Sequence, residues 1–315
     1  MNSKAQAISQ EQQDILDGLT SEQKHINPKY FYDHRGSKLF EQITELEEYY
    51  PTRTELTILH EYAQDIAQYI QKDSLIIEPG AGNCTKIEYL LEALHPSVYV
   101  PQDVSEEFLQ KSAARLSSRY PWLHVEPIAS DFSEPIVLPD KYQNMQKHVF
   151  YPGSTIGNFE PDDAVQFLKN MHILVGENGG VILGVDLHKD NDILHAAYND
   201  EEGITAEFNL NTLRHINQIL GSEIDITNFK HIALYNPQQQ RIEMYLESRA
   251  EQECSVLGYT IAFKQGELIH TEHSYKYTLD GIAQLAEKAG FRLQKSWLDD
   301  DDLFSVNYLQ RITHN

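Results

Sequence analysis

Apolar positions fall into two periods along this chain. Up to residue 72 they recur every three or four residues. Residues 8–20 form a short amphipathic stretch. Residues 37–47 align Leu39, Phe40, Ile43 and Leu46 on one stripe, and residues 54–72 carry Leu56, Leu59, Ile66 and Ile70. That spacing predicts three helices. From residue 74 short apolar runs alternate with helical stretches: SLIIEP then TKIEYLLEAL, SVYVPQD then SEEFLQKSAARLSSRY, LHVEPIASD, KHVFYPGS then DAVQFLKNMHILV, and GGVILGVDL. Strands buried on both faces read as continuous apolar runs, and this rhythm predicts an α/β fold with a doubly wound, mostly parallel sheet.

After Asp190 the rhythm breaks. Residues 191–221 read as helical; FKHIALYNPQQQRIEMYLES and ECSVLGYTIAFKQGELIHTEHSYKYTL read as antiparallel strands. DGIAQLAEKA returns to helix, and FRLQKSWLDDDDLFSVNYLQRI reads as strand, acidic turn, strand. The pattern therefore predicts one domain over residues 55–190 and 280–315, interrupted by a mixed α+β unit over 191–279 that packs with residues 1–54. A final helix and antiparallel hairpin on such a sheet resemble the Rossmann-like methyltransferases that use S-adenosylmethionine (SAM), rather than the nicotinamide dehydrogenases. The acidic run Asp299–Asp302 reads as a solvated turn.

Charge narrows the partners. Lys and Arg total 25 against 48 Asp and Glu, a formal net charge of −23. That excess disfavours nucleic acid and anionic membranes and leaves small neutral or cationic ligands. No run of about 18 apolar residues is present, so no membrane span is expected. The polar start MNSKAQAISQEQQDIL lacks a signal-peptide core, and Cys84 and Cys254 lie far apart. A reduced, cytoplasmic setting and a monomer are the expectation.

Four stretches carry candidate chemistry. LIIEPGAGNCTKIEYLL is strand, turn and helix, with Gly80 and Gly82 in the turn but Thr85 where a dinucleotide fingerprint has its third glycine. Alone it reads either as an ordinary tight turn or as a nucleotide cradle. VYVPQDVS ends in Asp103, 21 residues beyond Gly82, a spacing that suits an acceptor for ribose hydroxyls. IASDFS offers Asp131 and Phe132 to an adenine. In GELIHTEHSYKYTL, Glu272 and Ser274 are two apart and share a strand face. They could simply face water. They could equally serve a ligand with two polar atoms. His270 and His273 form H-x-x-H, but alternate strand faces would separate them and no third ligand is evident, so no metal is expected. His188 and His195 read as surface or packing residues.

With KYFYDHRGSKLFEQITELEEYYPTRTE, YPGSTIGNF, GVDLHKDNDILHAAYNDEEGITAEFNLN and RIEMYL, these stretches resemble the histidine-specific Nα-methyltransferases from about residue 28 to 310. Those enzymes make hercynine, the trimethylated betaine of histidine, in ergothioneine biosynthesis. The resemblance implies SAM as methyl donor, an amino-acid substrate and no metal. It implies catalytic positions at Tyr32 and Gly153, and substrate contacts from Tyr32, Phe40, Tyr49, Gly153, Thr155, Asn158, Tyr198, Met244, Glu272 and Ser274. Cofactor contacts would come from Tyr49, Gly80, Gly82, Lys86, Asp103, Asp131 and Phe132. Glu272 and Ser274 would then grip the two imidazole nitrogens, one accepting and the other in either role. Tyr151 and Cys84 depart slightly from the family pattern. The rival readings are the same chemistry on another amino acid or a thiol-bearing histidine derivative, and an inactive binding homologue.

Overall fold

The computed structural model describes residues 8–130 and 136–312; Asp131 and Phe132 lie outside the described residues. In chain order its helices and strands are α1 (Gln10–Thr20), α2 (His34–Glu45), α3 (Tyr50–Ile66), β1 (Leu75–Pro79), α4 (Glu88–Leu94), β2 (Val98–Asp103), α5 (Glu106–Arg119), β3 (His124–Val125), β4 (Ile128–Ala129), β5 (Lys147–Tyr151), α6 (Pro161–Val175) and β6 (Gly180–Asp186). Then follow α7 (Asn191–Tyr198), α8 (Ile204–Leu220), β7 (Phe229–Asn236), β8 (Arg241–Ser248), β9 (Gln252–Val256), β10 (Tyr259–Phe263), β11 (Leu268–Tyr275), α9 (Leu279–Lys288), β12 (Phe291–Leu298) and β13 (Phe304–Arg311). The chain divides into two compact units, one of residues Met1–Tyr50 and Lys189–Ser274, the other of Pro51–His188 and Tyr275–Asn315.

The larger unit is built on a sheet ordered β12-β13-β6-β5-β1-β2-β3, with β4 also paired to β2. β6, β5, β1 and β2 run parallel, and β13 and β12 close the edge as an antiparallel hairpin. This is a doubly wound α/β sheet with a terminal hairpin. Alternate strand residues feed two cores. Leu75, Ile77, Val149 and Leu183 join Phe167 of α6 and Ile282 of α9 on one side. Ile76, Phe150 and Ile182 join Ile58 of α3, Leu90 of α4 and Leu109 of α5 on the other. Each such fully buried side chain contributes on the order of 1.5–3 kcal/mol. The connection from β2 and β3 returns to β5, on the opposite side of β1. The carboxyl ends of β1 and β5 are therefore the topological switch point, where such sheets bind ligands.

The smaller unit holds the antiparallel sheet β11-β8-β7 and the hairpin β9-β10. Ile15, Leu16 and Leu19 of α1 share a core there with Leu213 and Ile216 of α8 and Ile269 of β11. Among the described residues no helix is long and apolar enough to cross a membrane.

Three elements differ from expectation. LHVEPIASD is two short strands, because Pro127 between them has no N–H for a ladder. The helix expected from Thr85 begins only at Glu88, since the Asn83 side chain accepts from the Thr85 amide and hydroxyl and holds a turn there. Residues 191–221 are two helices: Asp200 accepts from the amides of Ile204 and Thr205, and Gly203 takes φ 72°, so α8 starts afresh.

Candidate active site

In the larger unit two turns follow adjacent parallel strands. After β1, Gly80, Gly82 and Cys84 all adopt positive φ, which glycine accepts and cysteine rarely does. Nothing lies within 4 Å of a Cβ built on Gly82, so its backbone is open to close approach. The Gly82 amide donates to Asp103 Oδ2 at 2.9 Å, and Ser105 N donates to Oδ1 at 3.0 Å. Asp103 therefore braces the turn as well as standing at the end of β2. Beneath the turn, Tyr99 donates to the buried Glu78 carboxyl at 2.6 Å. Burial pushes that carboxyl up to about 8, partly offset by the Tyr99 hydrogen bond and the Lys86 cation.

The turn after β5 is held from several sides. Gly153 has φ 80° and Ser154 φ 57°. Ser154 Oγ accepts from Asp186 N at 2.9 Å, and Thr155 Oγ1 donates to Pro152 O at 3.1 Å. A Cβ on Gly157 would meet Tyr275 O at 2.8 Å, so only glycine fits. The segment then closes as a 3₁₀ turn, Thr155–Asn158, ending on the half-buried Asn158. Backbone strain held by this many partners is typical of functional turns. Tyr151, which precedes the turn, is buried, and burial raises its hydroxyl well above the usual phenol range.

The smaller unit gathers the other named residues in two groups. Tyr32, Phe40, Tyr49 and Tyr198 form a chain of edge-to-face rings, with successive centroids 5.7, 6.4 and 6.4 Å apart. Phe208 of α8 backs both Tyr32 and Phe40. The local sequence explains Tyr32. Asp33 caps α2 by accepting from Gly36 N at 2.6 Å and also accepts from Asn211 Nδ2 at 2.7 Å. A Cβ on Gly36 would collide with Phe31 O at 1.7 Å, so Y-D-H-R-G needs its glycine. Tyr32 is left 42% exposed.

The second group lies on the β11-β8-β7 sheet. Glu272 and Ser274 of β11 are both buried, as is Met244 of β8. Thr271 Oγ1 donates to Met244 O at 3.1 Å and so ties the two strands side by side. Tyr198 is anchored to the same sheet. Asn209 Nδ2 donates to His231 Nδ1 at 2.8 Å, which leaves His231 Nε2–H to donate to Tyr198 O at 2.9 Å. Burial holds the His231 ring below the ordinary imidazole value, against the raising effect of the Tyr198 carbonyl and the Asp200 charge.

One expectation fails. His270 and His273 are not separated: their rings stack with centroids 5.6 Å apart. Burial along β11 runs through Ile269 and Thr271, then through Glu272 and Ser274, so the alternation changes parity and returns the two histidines to one face. Among the described residues no His, Cys, Asp or Glu cluster suited to a metal accompanies them. His188 and His195 are exposed.

Sequence reasoning missed Glu55, Phe208 and His231. The helical period of α3 puts Glu55 on the stripe of Ile58 and Leu59, which marks the position as buried but names none of its partners. Phe208 and His231 carry no such local signal.

The family described as histidine-specific methyltransferase, SAM-dependent, matches residues 11–311. The chain is 36% identical over 306 residues to the histidine N-alpha-methyltransferase of Mycolicibacterium smegmatis, covering 95% of this chain and 94% of that protein. It is 35% identical over 300 residues to the enzyme of the same name from Mycobacterium tuberculosis, covering 93% and 92%. Ergothioneine biosynthesis protein 1 of Neurospora crassa is 34% identical over 278 residues, covering 84% of this chain and 31% of that longer protein.

Proposed function

The chain belongs to the family of histidine-specific, SAM-dependent methyltransferases, and we propose that it methylates the α-amine of L-histidine, carrying it to the trimethylated betaine hercynine. The observation that carries this reading is the buried acid and hydroxyl, Glu272 and Ser274, two apart on one strand beside Met244. A neutral imidazole offers one donor and one acceptor, which this pair can meet. A ring lacking those atoms would offer this acid and hydroxyl nothing to bond, which disfavours it against histidine.

The remaining roles are those the resemblance implies, and the chemistry of each residue suits its role. Gly80, Gly82, Lys86 and Asp103 take the cofactor, Asp103 accepting from the ribose hydroxyls, with Tyr49 beside them in role. The histidine carboxylate takes Asn158 and the Tyr198 hydroxyl as donors, with Thr155 shaping that turn. Tyr32 and the Gly153 carbonyl serve the amine. In each transfer the S–CH₃ bond breaks, the nitrogen lone pair forms N–CH₃, and the sulfur keeps the bonding pair as S-adenosylhomocysteine leaves. Before each attack the nitrogen gives up one proton, which passes to solvent. No covalent enzyme intermediate is required; alignment of the lone pair behind the methyl carbon supplies much of the rate. The faces of Tyr49 and Phe40 favour the cation that forms.

The test combines methyl transfer to histidine by the purified protein with one variant. Asp103→Ala should weaken SAM binding about tenfold, the loss of charge-assisted hydrogen bonds worth ~1.5 kcal/mol. Native-like affinity by calorimetry in a folded variant would remove Asp103 from the cofactor site.

A further inference from the structure

Glu55 of α3 is 0% exposed, and three other segments converge on its carboxylate. Gly153 N donates to Oε1 at 2.8 Å and to Oε2 at 3.0 Å. Lys86 Nζ reaches Oε2 at 2.6 Å. A Cβ on Gly184 of β6 would stand 2.0 Å from Oε1, so the strand admits the carboxylate only because that residue is glycine. Lys86 Nζ also stands 3.0 Å from where a Gly153 Cβ would be, so the ammonium rests against the Gly153 turn itself. The lysine side chain keeps 25% of its surface, against 1% for Glu55. An ammonium has three donors. With one on Glu55, the others remain for an anionic group arriving from solvent.

We propose that Glu55 is a positioning residue for methyl transfer, one buried anchor that fixes both the Lys86 ammonium and the Gly153 backbone. The assignment rests on the roles proposed above for the turns after β1 and β5. It adds that they are not set independently. A carboxylate that accepts at once from an amide and an ammonium holds both within hydrogen-bond tolerance of one point. Without that fixed point both grips loosen, and loss of binding shows as a raised KM for whatever each group holds. A side chain that merely filled space at position 55 would need no charge, and a merely electrostatic partner for Lys86 would need no contact with Gly153.

The experiment compares Glu55→Gln, Glu55→Asp and Lys86→Met in the full-length protein, with active sites counted by S-adenosylhomocysteine titration. Glu55→Gln keeps the shape and an acceptor for Gly153 N but loses the negative charge that faces Lys86. It should raise KM for SAM and for histidine together, each about tenfold or more, with the titrated site count unchanged. Adding Lys86→Met to it should raise the SAM KM no further than the worse single variant, since Glu55 acts through Lys86. If Glu55→Gln does not fold, Glu55→Asp, which withdraws the charge by one methylene, should show the same paired rise. Two results would overturn the proposal: unchanged KM values for both substrates in a folded variant, or full multiplication of the two single effects on the SAM KM. A native protein that transfers no methyl group to histidine would instead defeat the functional reading above.

Discussion

Glu272→Ala should lower kcat/KM for histidine about ten- to a hundredfold, because a charged acceptor facing a ring N–H is worth roughly 1.5–3 kcal/mol. The carboxyl is buried on β11, two residues from the buried Ser274. Removing it leaves the ring N–H unmatched and adds room. Discrimination against phenylalanine and tryptophan should fall at the same time. Affinity for SAM should stay as in the native protein, since Asp103 and the Gly80–Gly82 turn belong to the other compact unit. The quantity to measure is the ratio of specificity constants, histidine over tryptophan. A ratio identical in variant and native protein means that Glu272 does not read the imidazole.

Lys276→Met should destabilise the larger unit by about 3–5 kcal/mol, the cost of leaving a buried carboxylate without its cation. Lys276 Nζ sits 2.7 Å from Asp186 Oδ2, and both side chains are 1% exposed. Asp186 ends β6, and its amide donates to Ser154 Oγ. The pair therefore stands behind the left-handed residue of the Gly153 turn, and its loss should also reduce turnover. Replacing both partners, Asp186→Leu with Lys276→Met, should recover most of the lost stability, because it removes both desolvation costs together. Chemical denaturation followed by tryptophan fluorescence reads the unit directly, since Trp122 and Trp297 both lie in it. A midpoint for Lys276→Met equal to that of the native protein would show that the pair contributes nothing.

What could be read in the sequence, and what could not, divides along physical lines. Runs such as LIIEP and VILGV announced a sheet buried on both faces, because helices cover both. Gly80, Gly82 and Asp103 stood out by spacing, and the Asp103 contact with Gly82 N shows why the spacing exists. Glu272 and Ser274 stood out because strand periodicity alone puts them on one face. The same rule misplaced His270 and His273, since one change of parity along β11 inverts it. Glu55 was hidden for a different reason. Its partners Lys86 and Gly153 are 31 and 98 residues away, and no local pattern encodes an anchor assembled from three segments. Ser154 was likewise invisible, because its left-handed backbone is imposed by neighbours and not by its own preference.

The most direct measurement is the mass and fragmentation of the product formed when the purified protein is incubated with SAM and L-histidine, beside parallel reactions with each other amino acid. Histidine should carry added methyl groups on its α-nitrogen, progressing to the trimethylated form, with the other amino acids left unchanged. Methyl groups on an imidazole nitrogen, or faster conversion of tryptophan or phenylalanine than of histidine, would contradict it.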